Sequence, residues 1–347
     1  MQQTSSLLLI NSHPASRSPL HFSGRWPWRR VAQILVLAVF VGGCAGPAAI
    51  RLPVSVDGHP QPKQVAGVPF FPQQAYQCGP AALAMTLAWS GIAVRPPDLV
   101  PEVFTASRKG SLQASMIAAV RRHGRVAYLL DSPQSLIDEI AAGHPVVVLQ
   151  NLGLEWYPVW HYAVVIGWEA NGRMTLHTGT RSAASTARKT FEHTWARSDY
   201  WGLLVLPPSR LPAIAVEEEY LTAVSHLERL ENWAAAAQGY RTALGRWPNS
   251  LPAWVGTGVC LFQLGDLASA EAQFRAAGKR FPQEGVVFNN LAQVLLEQGR
   301  RGEALDAVMY AIECGGPLKS HFEKTLEEIR NTKPGTLHKA DENYPEK

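Results

Sequence analysis

The sequence predicts two successive units, an α+β domain followed by an all-α solenoid of paired helices. In the front half, helical segments come first. Two continuous apolar runs, Pro145–Leu149 and His161–Trp168, follow as buried strands, and Asn171-Gly172 turns the second into a hairpin partner. From Glu217 the chain repeats with a period of 34 residues. At 347 residues it also exceeds one typical domain.

The formal charge of +4 is carried by Arg17, Arg25, Arg29 and Arg30, since no Lys, Asp or Glu precedes Cys44 and the remainder is balanced. No net charge and no basic cluster remain to favour a nucleic-acid partner. Arg25, Arg29 and Arg30 form a positive n-region ahead of Val31–Val41, an apolar run of 11 residues. That is too short to span a bilayer and suits a signal h-region. It ends in Val41-Gly42-Gly43-Cys44, which resembles a bacterial lipobox; the alternative is an ordinary signal peptide with a chance cysteine. The expectation is a signal peptide over 1–43, lipidation at Cys44 and, because Ala45 replaces Asp, an outer-membrane location facing the periplasm. Residues 1–24 are long for a leader, which leaves the start codon open. Residues 44–67, with Pro47, Pro53, Pro60 and Pro62, read as a tether lifting the fold off the lipid.

The first domain is expected over 68–208. Its first helix opens at Cys78, where Gly79-Pro80 suits a first turn. The helix buries Ala82, Met85 and Trp89 beside Leu83 and Leu87, and Gly91 caps it. The helix dipole there stabilises a thiolate and can lower its pKa below the free value of about 8.5. Cys78 is therefore a candidate nucleophile, against the plain alternative of a buried structural cysteine. Pro96-Pro97-Asp98 starts a second helix. Ser111 caps a third, carrying Leu112, Ile117 and Val120 to Gly124. Val126–Leu130 is a strand, Ser132-Pro133 opens a helix stopped by Gly143, and Trp201–Leu206 is the last strand. His161 opens its strand at a sheet end, where an imidazole can face a helix N-terminus, the arrangement a Cys–His pair requires. His123, His144 and His193 read as structural or solvated. A metal site on Cys78, His161 and His177 has no short ligand spacing behind it, and no cofactor is expected.

The Cys78-Gly79-Pro80-Ala81-Ala82-Leu83 helix start, the strand after Gly143 and the His161–Gly167 strand together resemble the papain-like peptidases of the double-glycine leader class, over about residues 68–208. The resemblance implies a papain-like fold. It makes Cys78 the nucleophile and His161 the general base and then acid, with an oxyanion site from the Cys78 N–H and a glutamine. The family glutamine stands six residues before the cysteine, where this chain has Pro72, so Gln73 is the candidate. The third catalytic position, normally Asp or Asn, is His177, followed by Thr178-Gly179-Thr180. A neutral His177 or the Thr178 hydroxyl could orient His161, with less stabilisation of the imidazolium than a carboxylate gives.

In the repeats, position 4 is Tyr220, Trp254 and Phe288; position 8 is Val224, Gly258 and Ala292; position 20 is Ala236, Ala270 and Ala304. Such helix-turn-helix units are of the tetratricopeptide type, three of them over 217–318 with a cap helix at 319–331 and a polar tail at 332–347. Cys260 and Cys314 read as small buried side chains. The expected function is a cell-envelope lipoprotein with cysteine peptidase activity on a peptide or protein substrate. The membrane is engaged through the lipid anchor, and a protein partner is held by the repeats. The alternatives are a weak or inactive peptidase fold that binds peptides, and repeats that merely buttress the first domain.

Overall fold

The computed structural model describes residues 50–55, 58, 60–130 and 132–332. The signal segment, Cys44 and the tail from 333 lie outside the described residues. Among those described, no helix is long and apolar enough to cross a membrane.

A largely antiparallel sheet is the middle layer of the front half. It comprises β4 (Val126–Leu130), β5 (Val146–Asn151), β6 (Trp160–Trp168), β7 (Met174–Thr178), β8 (Arg181–Thr186) and β9 (Gly202–Leu206) in the spatial order β4-β9-β5-β6-β7-β8. A short β1 (Lys63–Gln64) pairs with β6 at Trp168 and Gly167. Side-chain alternation gives the sheet two apolar faces. Tyr162, Val164 and Ile166 pack against α1 (Cys78–Trp89), α2 (Pro96–Val103) and α3 (Gln113–Arg122). Ala163 and Val165 join the opposite core, with α4 (Pro133–Ala141) and α5 (Arg188–Ala196). A two-stranded ribbon, β2 (Phe104–Thr105) with β3 (Gly110–Ser111), lies between α2 and α3.

Behind the sheet come α6 (Glu217–Arg229), α7 (Trp233–Arg246), α8 (Leu251–Gln263), α9 (Leu267–Arg280), α10 (Gly285–Glu297), α11 (Arg301–Cys314) and α12 (Lys319–Asn331). The first helix of each pair begins at the frame residues Glu217, Leu251 and Gly285. The fold is thus an α+β region followed by a helical solenoid. Small residues at the repeat positions act as anticipated: a Cβ on Gly258 would stand 2.5 Å from Phe274 Cζ, so only glycine lets these helices meet.

The two halves share one core, in which Tyr128 and Leu130 of the sheet pack with Tyr220, Ala223 and Val224 of α6. The connecting segment is held along its length. Ile214 N–H donates to Glu139 Oε1 at 3.0 Å, Val216 N–H to Tyr128 Oη at 3.2 Å, and Tyr220 Oη to the Pro208 carbonyl at 3.3 Å.

Three expectations change. Residues 50–55 and 60–66 are not a free tether: Ile50 and Leu52 are buried in the core, Ile50 N–H donates to Glu192 Oε1 of α5 at 2.8 Å, and β1 joins the sheet. Apolar side chains at 50 and 52 outweigh the proline content, which an edge segment tolerates. Ser111 does not cap α3; Leu112 holds the N-cap position, and Ser111 belongs to β3. The polar stretch around His193 is β8 and α5, where Phe191 and Trp195 are fully buried. Only one face of each element is covered, so their sequences carry little apolar signal.

Candidate active site

The segment before α1 is set by its own backbone. Gln77 N–H closes a turn on the Gln74 carbonyl at 3.1 Å, and Tyr76 adopts φ +63, a left-handed conformation uncommon for a bulky residue. Gln73 N–H donates to the Gly179 carbonyl at 3.2 Å, which ties this loop to the end of β7. The first turn of α1 then slides under Ser111. A Cβ on Gly79 would lie 2.5 Å from Ser111 Cβ, so the residue after the cysteine has room only for hydrogen.

Cys78 Sγ meets the start of β6. The β6–β7 ladder begins at Val164–His177, which leaves the Tyr162 amide outside it, and the backbone amides of Tyr162, Gly79 and Cys78 itself favour the thiolate. Burial nonetheless dominates and pushes the thiol pKa up; the three amides offset only part of it. The expectation of a depressed pKa is therefore corrected, because the sulfur is enclosed by the same packing that brings it to the strand. The Tyr162 hydroxyl donates to the Ser111 carbonyl at 3.2 Å, clamping β6 to β3 beside the cysteine.

His161 is buried, and its Nε2 lies 2.7 Å from Thr178 Oγ1. Its Nδ1 has no hydrogen bond among the described residues. Burial lowers its pKa, favouring the neutral ring. His161 pairs across the sheet with Gln150, whose amide donates to Thr194 on α5. The imidazole therefore leaves β6 on the α5 side, and the sulfur arrives from the α1 side at the next residue.

His177, the sequence candidate for the third position, faces elsewhere. Its Nδ1 accepts from Ala183 N–H at 3.0 Å, its Nε2 points to the Val68 carbonyl at 3.3 Å, and its ring packs on Phe70. Strand alternation is the reason, since His177 and Thr178 project to opposite faces and only Thr178 shares the His161 side. Gln73 is half-buried, with its amide beside Gly179, while Gln74 is exposed. Sequence reasoning missed Tyr162, whose contribution is a backbone amide that no side-chain pattern reports. Among the other histidines, His123 Nε2 lies 3.0 Å from Glu102, His144 bonds Glu139, and His193 bonds Arg197. Among the described residues, no cluster of three or more His, Cys, Asp or Glu could hold a metal. Cys78, Cys260 and Cys314 are free thiols.

A thiol pushed up and an imidazole pushed down rest as a neutral pair at neutral pH. Alkylation of Cys78 by iodoacetamide should accordingly keep rising with pH beyond 9, because the thiolate fraction grows only as the thiol's raised pKa is approached. A rate already level between pH 5 and 8 would show a resting thiolate–imidazolium pair instead.

Residues 65–202 match the family described as Peptidase_C39 like, and residues 221–285 match the tetratricopeptide repeat. A search of curated proteins finds no match. Among solved structures, a double glycine motif protease from an AMS/PCAT transporter, in complex with the leader peptide, is 20% identical. The alignment covers 42% of this chain and 96% of that one, with a TM-score of 0.32. The type III secretion translocator chaperone SycD of Yersinia enterocolitica is 18% identical over 33% of this chain and 91% of its own, at 0.31. The TPR2B domain of yeast Sti1, in a complex with pHsp70, is 15% identical over 33% of this chain and 95% of its own, also at 0.31. TM-scores this low leave the two family-model matches as the comparison that bears on the site. The chain carries a Peptidase_C39-like domain fused to tetratricopeptide repeats.

Proposed function

We propose that the protein is a cell-envelope cysteine peptidase, lipidated at Cys44 and facing the periplasm from the outer membrane, with a repeat domain that engages a protein partner. The observation that carries the catalytic part is that Cys78, at the start of α1, packs against the core cluster holding Tyr162, the residue that follows His161 on β6. As the substrate carbonyl enters, His161 Nδ1 takes the thiol proton and the sulfur attacks. The Cys78 N–H and the Gln73 amide donate to the oxyanion. The imidazolium then protonates the leaving amine, and water activated by the same ring hydrolyses the thioester. Thr178 keeps the ring in register throughout. Closing the Cys78–His161 contact belongs to the substrate complex, since catalytic hydrogen bonds are often long in the free enzyme.

A second reading rests on three observations. The thiol pKa is raised, Thr178 stands where a carboxylate would be, and no hydrogen bond joins Cys78 to His161 among the described residues. These favour a peptide-binding module of low turnover. Incubation with a peptide carrying an electrophilic carbonyl, followed by mass spectrometry, separates the two. The peptidase reading expects one adduct on Cys78, none in Cys78→Ala, and slower labelling in His161→Ala. Labelling equal in wild type and His161→Ala would favour the binding module.

A further inference from the structure

The loop between β5 and β6 exposes Leu152, Leu154, Trp156, Tyr157, Val159 and Trp160, with Trp156 81% and Tyr157 69% exposed. Large apolar side chains so concentrated and so open mark a docking surface. The loop is also held in shape. Asn151, itself buried, accepts at Oδ1 from the Gly153 and Val159 amides at 2.9 Å and donates through Nδ2 to the Leu154 carbonyl at 3.3 Å. Leu152 N–H donates to the Val159 carbonyl at 2.9 Å, and the Arg197 guanidinium, just past α5, donates to the Asn151 and Gly153 carbonyls. A backbone this well satisfied presents its exposed apolar side chains in a fixed arrangement.

We infer that this loop inserts into the bilayer interface and seats the domain on the membrane surface, an inference that rests on the lipid anchor proposed above. Its apolar side chains are of the interfacial kind, with Trp and Tyr placing an apolar body in the acyl boundary and a polar edge at the headgroups, and Leu and Val adding buried area, while the exposed Glu155 among them keeps its carboxylate in water. A peptide subsite would be half-covered, whereas Trp156 and Tyr157 are mostly open to solvent.

The second line of argument is the length of chain to the anchor. Ile50 lies six positions after Cys44, a stretch that fully extended reaches at most ~20 Å. Ile50 is buried and bound through its N–H to Glu192 on α5, and Arg197 at the end of that same helix holds the aromatic loop. Glu192 and Arg197 are five residues apart, roughly 7–8 Å along a helix. A lipid on Cys44 would thus draw the α5 side to the membrane, and the loop springs from that side. The anchor supplies proximity and the loop fixes orientation, two weak attachments acting together.

The test uses the full chain in phosphatidylethanolamine–phosphatidylglycerol vesicles whose acyl chains are brominated near the headgroup. Cys44 lipidation is read independently by mass spectrometry. The expected result is a quenched tryptophan component that disappears in Trp156→Ser/Trp160→Ser, while the thermal midpoint of that variant stays near the native value. Identical quenching in native and variant chains overturns the inference, whether or not Cys44 is lipidated. Quenching without lipid on Cys44 supports the loop and removes the anchor; lipid without loop quenching does the reverse. A loop whose emission answers an added apolar peptide and not brominated lipid would make the surface a protein site and overturn the membrane assignment.

Discussion

His161→Ala is expected to lower the peptide-hydrolysis kcat/KM by about a hundred- to ten-thousand-fold, the usual share of general acid–base catalysis. Burial raises the pKa of the Cys78 thiol despite the backbone amides around it, so the thiol rests protonated at neutral pH. Without the imidazole, attack must wait for a rare thiolate and the leaving amine departs unprotonated. Thr178 tests the same chemistry from the other side. Its hydroxyl fixes the His161 ring at 2.7 Å but carries no charge to set against an imidazolium. Thr178→Val should therefore lower kcat with little change in KM. Thr178→Asp should raise the His161 pKa and move the acid limb of the pH profile upward from its position below 6.5. The sign follows from the ring acting as a base only when unprotonated, so a higher pKa costs activity on the acid side. An unchanged rate in His161→Ala, with Cys78→Ala inactive, would remove the dyad.

Glu139→Ala is the largest expected loss of stability, about 3 kcal/mol, because removing one buried group strands its partners. Glu139 is fully buried at the end of α4 and serves two of them. Oε2 lies 2.6 Å from His144 Nδ1, and Oε1 accepts Ile214 N–H of the segment leading to the repeats. Truncation leaves both without an acceptor and opens a void beneath the first repeat. Glu139→Gln keeps an oxygen for one partner and should lose less. Thermal unfolding is the measurement, with a drop of several degrees expected for the alanine variant. A midpoint within one degree of the native value would show that the connection is held by apolar packing of Tyr220 and Val224 alone.

Much of the architecture was legible from local pattern. The 34-residue repeat locates its helix starts because small and large residues must alternate wherever paired helices touch, and that requirement is written at every turn. Pro145–Leu149 and the strand at His161 were readable as continuous apolar runs because both faces of each are covered. β8 and α5 were not: each is covered on one side only, and α5 signals its buried face with little more than Phe191 and Trp195.

Cys78 and His161 were legible as candidates from the sequence alone, since a helix start and a strand start are local events. What only the tertiary structure decided is how they are served. Strand alternation turns His177 to Phe70 and Val68 and leaves Thr178 on the imidazole, and the gap at the start of the β6–β7 ladder leaves the Tyr162 amide to favour the thiolate. Enclosure sets the direction of both pKa shifts, a sum over surroundings that no single stretch of chain contains. The burial of Ile50 against α5 likewise appears only when segments 142 residues apart meet.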